Sequence, residues 1–311
     1  MHKLISIITP CYNEAENVKF VYERIKSVFA DMGNYDYEHI FIDNSSKDNT
    51  VDILRTIANA DRNVRIIVNN RNFGHVVNGY YAMLQSAGDA VVLLFADMQD
   101  PPELIPEFLK EWEIGFKVVL GIKETSEEPW VLYRLKRMYY RFISRLSDIE
   151  LVENNNGFGL YDREVIRIVS KMGESYPYFR GLVAYTGFES AKIPYVQSAR
   201  RRGKSKNKFY TLFDLGMTGI TSHSKIPLRL ATIMGFSLAV FNLFVAGFYF
   251  LYKLVFWSSF TVGIAPIVIG IFFFGSVQLF FTGIIGEYIG TIHTNVQHRP
   301  LVIEKERINF D

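Results

Sequence analysis

The first 125 residues alternate short β-rich runs with stretches of helical periodicity, and this alternation constrains the fold more than any other feature of the chain. Leu4–Thr9, His39–Ile42, Val64–Val68, Ala90–Ala96 and Lys117–Ile122 read as strands, and helices over about 14–31, 50–60, 74–87 and 102–114 fill the gaps. Strands joined by helices of this length require right-handed crossovers and a mainly parallel sheet. Ligands of such sheets bind outside the carboxyl ends of the strands.

Polar clusters fall at those ends. Pro10-Cys11-Tyr12-Asn13-Glu14 follows the first strand, Asp43-Asn44-Ser45-Ser46 the second, Asn69 to Asn72 the third and Asp97-Met98-Gln99-Asp100 the fourth. Four consecutive polar strand ends predict a single site. Cys11 is the only cysteine, so a disulfide scaffold is excluded, and with no histidine in its motif it reads as a small buried filler. His75, His223 and His293 have no metal-ligand spacing with one another, and His75 is the one expected near the site.

Beyond this region the sequence changes character. The net charge of +2 hides a block over 200–229 with eight positive charges and one negative, which leaves the remainder at −5. Arg200, Arg201, Arg202, Lys204, Lys206, Lys208, Lys225 and Arg229 precede 23 residues without a charge, Leu230 to Tyr252, and a further 33 run from Leu254 to Gly286. A spanning helix needs about 20 apolar residues. The sequence therefore predicts a transmembrane hairpin, about 230–252 and 264–286, with the basic block on the membrane and not on nucleic acid.

Only Lys253 lies between the spans, so the positive-inside bias puts the N-terminal domain and both termini on the cytoplasmic side of the plasma membrane. Leu4 to Thr9 is too short an apolar run for a signal peptide. Between Tyr133 and Leu146, Arg134, Arg137, Arg141 and Arg145 share one helical face and Leu135, Met138, Phe142 and Leu146 another. That is the pattern of a basic interfacial helix, or of a helix packed on its own domain with a solvated face. The expected organisation is an α/β domain over 1–200, a basic juxtamembrane segment over 201–229 with a second interfacial helix from Phe209 to Met217, the hairpin within 230–290, and a polar tail over 291–311.

The clusters also occur in a particular order. Pro10 to Glu14, Asp43-Asn44-Ser45-Ser46-Lys47-Asp48-Asn49-Thr50, Asn72-Phe73-Gly74 and Asp97 to Glu103 are followed by Arg200 to Lys206, an Arg-x-x-Gly-x-Ser-Lys segment. With these the chain resembles family 2 glycosyltransferases of the polyprenyl-phosphate branch, which are similar to dolichol-phosphate mannosyltransferase and bactoprenol glucosyltransferase. The resemblance covers nearly the whole chain. It implies a Rossmann-like GT-A domain followed by interfacial helices and a transmembrane hairpin. The implied reaction is inverting, metal-dependent transfer of one sugar from a nucleotide sugar, a UDP-sugar first, to polyprenyl phosphate at the cytoplasmic face during cell-envelope glycan biosynthesis. A homo-oligomer, with a tetramer among the assemblies, is implied as well.

In such enzymes the first two strand ends hold the nucleotide, which assigns Pro10, Tyr12, Asn13, Glu14, Asp43, Asn44 and Ser45 to the donor, with Asn72, Gly74, Asp97 and Met98. Asp43 can accept from a pyrimidine N–H, while Tyr12 and Pro10 offer a flat apolar wall. A departing nucleoside diphosphate carries charge that Mg2+ or Mn2+ would neutralise through oxygen ligands, so Asp97 and Gln99 are the expected metal ligands. Asp97 and Asp100 are the expected catalytic pair, Asp100 as a helper or base. An Asp before Pro101-Pro102 can equally be a strand-end turn and helix cap. Arg200, Ser205 and Lys206 would bind the acceptor phosphate, or serve only as a positive anchor.

Of two departures from the family pattern, the first bears on the metal and the second on the acceptor. Phe95 stands where a carboxylate is common, and Asn156-Gly157-Phe158-Gly159-Leu160 stands where relatives commonly read Gly-Asp-Phe-Arg-Leu. The second removes a candidate general base. A phosphate monoester, with a second pKa of about 6, is already ionised at pH 7, whereas a sugar hydroxyl normally needs a base. Polyprenyl phosphate is thus the favoured acceptor. If Asp100 or Glu153 acts as base, a sugar hydroxyl of a lipid-linked glycan is the alternative, and a non-catalytic nucleotide-sugar-binding membrane subunit is the reading from another class.

Overall fold

The computed structural model describes residues 2–124, 152, 154–174, 177–197, 226–256, 264–297 and 299–310. Arg200, Ser205, Lys206, Glu153, the basic segment 133–146 and the segment 209–217 lie outside the described residues.

The alternation read from the sequence is present. β1 (Lys3–Cys11), α1 (Val18–Ala30), β2 (Tyr35–Asp43), α2 (Thr50–Ala60), β3 (Val64–Asn69), α3 (His75–Gln85), β4 (Ala90–Leu93), α4 (Ile105–Glu113) and β5 (Val118–Lys123) follow one another. After them come β6 (Gly159–Asp162), α5 (Arg163–Met172), α6 (Phe179–Tyr185), β7 (Ser190–Tyr195), α7 (Ile226–Val255), α8 (Ile264–Val296) and β8 (Glu304–Ile308). The described strands form one sheet of order β7-β5-β6-β4-β1-β2-β3-β8. β1 runs parallel to β2 and β4, and β2 to β3, as crossover helices demand. β6 lies antiparallel between β4 and β5, and β8 antiparallel along β3.

Central strands covered on both faces must be apolar in both registers. Ile5 and Ile7 of β1 face one layer with Val21, Ile25 and Phe29 of α1, Leu54 of α2 and Phe108 of α4. Ile8, with Ile40 and Ile42 of β2, faces the other layer with Tyr80 and Met83 of α3 and Val165 and Val169 of α5. α1 buries Val18, Val21, Ile25 and Phe29, a stripe at helical spacing that needs no propensity beyond its amphipathic face.

Glu304–Ile308, read from its charges as part of a polar tail, is an edge strand. Its charges cover the edge instead of leaving the sheet: Arg55 pairs with Glu306, the Tyr81 hydroxyl donates to Glu304 at 2.9 Å, and Arg307 donates to Gln85 at 2.9 Å. Asn309 Nδ2 then donates to the carbonyls of Ala58 and Val64, both at 2.9 Å.

α7 and α8 are the two longest helices described, and Phe236, Phe244, Leu279 and Phe280 on them are exposed. Among the described residues, however, no helix is long and apolar enough to cross a membrane. This corrects the transmembrane hairpin expected at 230–252 and 264–286. That expectation rested on an absence of charge, which is a weaker condition than an unbroken apolar window of described helix, and the described residues supply no such window. The multi-pass plasma-membrane placement, with the catalytic domain and both termini cytoplasmic, rested on the hairpin and falls with it.

Candidate functional site

The register brings Cys11 beside Asp43, Asp43 beside Val68 and Ile8 beside Leu93, so the segments leaving β1 to β4 open on one edge of the sheet. Left-handed backbone at non-glycine residues gathers at the same edge: Asn13 (φ 53°) after β1, Ser45 (φ 65°) after β2 and Met98 (φ 60°) after β4. Asparagine tolerates this conformation, but serine and methionine visit it rarely. Each such residue costs of order 1–3 kcal/mol and persists only where its surroundings hold it, which is typical of ligand clamps. Met98 is held by its side chain, buried in the apolar layer with Ile105 and Phe108. Of the predicted donor residues it therefore has its side chain in the core.

The first two strand ends are laced together. Asn13 N–H donates to Ser46 Oγ at 2.8 Å, and Lys47 N–H donates to Asn13 Oδ1 at 2.7 Å. Glu14 N–H donates to Thr50 Oγ1 at 2.9 Å, while its carboxylate accepts from Asn17 Nδ2 at 2.6 Å at the start of α1. Asp43 is wholly buried and accepts from the Ser46 N–H at 2.8 Å and from its hydroxyl. Burial raises its pKa, and the Ser46 bonds oppose that shift. Pro10 and Tyr12 are half-buried beside it, the Pro10 ring resting on Gly79 of α3. Burial, then Asp43, Glu14 and Asp48, holds the Cys11 thiol pKa well above its ordinary value. A thiol kept protonated in this way is a filler, as its sequence context suggests.

An asparagine relay shapes the third strand end. Asn44, almost fully buried, donates through Nδ2 to Asn72 Oδ1 at 3.0 Å, and its Oδ1 accepts from Phe73 N–H at 2.9 Å and Asn69 Nδ2 at 3.3 Å. Asn69 donates to Asn78 Oδ1 at 2.6 Å, Asn78 to Ile42 O at 3.0 Å, and Gly74 N–H to Asn72 Oδ1 at 2.9 Å. Asn44 and Asn72 thus hold the 69–74 loop as the wall of the crevice. From outside, Asn70 N–H donates to Ile303 O at 2.9 Å, so the segment entering β8 pins the same loop.

At the fourth strand end Asp97 and Gln99 are half-buried, and Gln99 N–H donates to Asp97 Oδ1 at 3.3 Å, which orients the carboxylate. Asp100 is 1% exposed. One of its oxygens accepts from the Tyr195 hydroxyl and the other from Asn156 Nδ2 at 2.9 Å. Burial, then Asp100 and Asp97, raises the Tyr195 pKa, so this hydroxyl stays protonated and donating. Nothing in the sequence marks Tyr195, which reaches Asp100 across 95 residues. Asn156 stands inside the departing segment, where its partner could be found only in three dimensions.

The two glycine departures are backbone requirements. Gly157 has φ +102°, outside the range an aspartate adopts without strain. A Cβ at Gly159 would lie 2.4 Å from Val119 O, so β6 reaches β5 only because no side chain is there. Gly159→Ala is accordingly expected to cost about 1–3 kcal/mol of stability by overpacking, read as a lower urea midpoint. An unchanged midpoint would contradict that close approach. Phe95, at the position of the other departure, packs on the apolar layer of α3 and α5.

Among the described residues no group of three or more His, Cys, Asp or Glu could hold a metal ion. Asp97 and Gln99 nevertheless offer one carboxylate and one amide oxygen, hard donors that fit the protein half of an open divalent-cation site whose other ligands are phosphate oxygens.

Residues 6–169 match the family described as "Glycosyl transferase family 2". The chain is 35% identical to "Uncharacterized glycosyltransferase YkcC" of Bacillus subtilis over 311 residues, 100% of this chain and 96% of the relative. It is 31% identical to "Bactoprenol glucosyl transferase" of Shigella phage SfV over 302 residues, 97% of this chain and 98% of the relative. Among solved structures it is similar, at TM-score 0.46 and 17% identity over 70% of this chain and 77% of the other, to glucosyl-3-phosphoglycerate synthase from Mycobacterium tuberculosis in complex with Mn2+ and uridine-diphosphate-glucose. The strand-end motifs, the sheet that aligns them and the match over more than half the chain lead to one conclusion: the chain belongs to glycosyl transferase family 2, in the branch of the bactoprenol glucosyl transferases, and is a glycosyltransferase.

Proposed function

We propose that the protein transfers one sugar, with inversion, from a nucleotide sugar to polyprenyl phosphate. The names of relatives such as the bactoprenol glucosyl transferase of Shigella phage SfV support the acceptor. The observation that carries the reading is the setting of Asp100, which is buried with a donor on each oxygen, an environment that favours a structural role over taking a proton from an incoming hydroxyl. With Gly157 in place of the family's aspartate, the acceptor that suits this site is one already ionised.

In this reading Pro10 and Tyr12 wall the nucleobase, Asp43 fixes the Ser46 turn beside them from within the core, and the Asn44–Asn72 relay holds the 69–74 loop around the donor. Asp97 and Gln99 would hold Mg2+ or Mn2+, and a bound cation supplies charge neutralisation for the departing nucleoside diphosphate. An acceptor phosphate oxygen forms the new bond to the anomeric carbon from the face opposite the leaving group. The old bond breaks toward the diphosphate, which takes the electron pair, and no proton has to move.

Release of UDP from UDP-glucose, followed with polyprenyl phosphate and separately with the matching polyprenol, tests the choice of acceptor. Stimulation by the phosphate and none by the alcohol is expected. Equal stimulation by a hydroxyl acceptor would overturn it.

A further inference from the structure

Arg180, on α6, belongs to none of the motifs read from the sequence. It is half-buried, donates through Nη1 to the carbonyl of Asn155, and lies 5.2 Å from the ring centroid of Tyr178. Asn155 is itself held: Nδ2 donates to Gly121 O at 3.1 Å and Oδ1 accepts from Gly157 N–H at 2.8 Å. The next residue, Asn156, is the one that donates to Asp100. The guanidinium is therefore anchored on the loop that borders the fourth strand end. Its charge also reaches His75, the exposed first residue of α3 beyond the 69–74 loop, whose pKa is lowered by crowding from the surrounding protein and then by Arg180.

A planar guanidinium presents five N–H groups in a fork that matches phosphate oxygens. Fixing that fork against a backbone carbonyl removes much of the entropy a free side chain would lose on binding. We infer that Arg180 binds a phosphate group of a substrate in the crevice between His75 and the Asn155–Gly157 loop. The phosphate belongs to the donor diphosphate or to the acceptor lipid, and the two sources are separable. The inference rests on the transfer reading above.

The test uses the whole protein and the variants Arg180→Gln and Arg180→Lys. Glutamine keeps a polar amide but carries no charge, and lysine keeps the charge without the fork; thermal melts of both variants report any loss of the Asn155 contact. Binding of UDP and of uridine with Mn2+ is measured by calorimetry, and the KM for polyprenyl phosphate by turnover. Arg180→Gln is expected to weaken one arm at least tenfold, with Arg180→Lys recovering part of the loss. A loss for UDP and none for uridine identifies the donor diphosphate. A rise confined to the KM for polyprenyl phosphate identifies the acceptor. Wild-type values for Arg180→Gln in both arms, or equal weakening of uridine and UDP, would overturn the inference and leave Arg180 as a holder of its loop. A wild-type protein that binds UDP more tightly than uridine but transfers to no lipid phosphate would overturn the transfer reading instead, with the UDP arm still deciding on Arg180.

Discussion

Asp97→Ala is expected to lower sugar transfer by about a thousandfold or more while the protein stays folded. Charge stabilisation by a bound cation is worth several kcal/mol, and each 1.36 kcal/mol is a factor of ten in rate. In the proposed reading Asp97 is the carboxylate of the Asp97–Gln99 pair, so its removal would take most of the protein's hold on that cation. The structural cost is small, because the side chain is half-buried at a strand end and not packed in either apolar layer. Asp97→Asn keeps an oxygen for the Gln99 N–H and loses only the charge, so it is expected to fall nearly as far. Initial rates at saturating Mn2+, together with thermal melts, check both variants. Activity within tenfold of wild type in a folded Asp97→Ala protein would contradict the role given to this residue.

Asp100→Ala is expected to act through stability. The substitution leaves the Tyr195 hydroxyl and the Asn156 amide without their buried acceptor. Each orphaned buried donor costs about 1–3 kcal/mol, so with two of them a loss of roughly 2–6 kcal/mol follows. Against a total stability of about 5–15 kcal/mol, that is enough to depopulate the native state on modest warming. Tyr195→Phe removes one of the two donors and is expected to cost about half as much. Urea unfolding of both variants measures this. An Asp100→Ala protein as stable as wild type, inactive and lacking one limb of the pH–rate profile, would instead identify Asp100 as a general base and favour a hydroxyl acceptor.

The first five strands were legible because a strand buried on both faces is largely apolar in both registers, as in Ile40 to Ile42 and Ala90 to Leu93. The later strands lack that signature. β6 is four residues long and depends on Gly159 having no side chain, β7 is largely outside the core, and β8 is charged on both faces because it forms an edge. The charge-free runs over 230–252 and 264–286 predict spans that the described helices do not provide. At the site, the motifs mark the strand ends that the sheet aligns, and several of their side chains are engaged within the protein. Asn44, Asn72 and Glu14 are engaged in holding loops and a helix start, and Met98 is turned into the core. Tyr195, Asn156 and Arg180 enter through pairings that hydropathy and spacing do not encode.

The most direct test of the transfer reading is mass spectrometry of polyprenyl phosphate after incubation with the protein, a divalent cation and a panel of nucleotide sugars. The account predicts a lipid monophosphate carrying one sugar from at least one donor, absent after chelation and absent with Asp97→Ala. A product glycosylated on a sugar hydroxyl, or bound donor with no glycosylated lipid from any member of the panel, would contradict it.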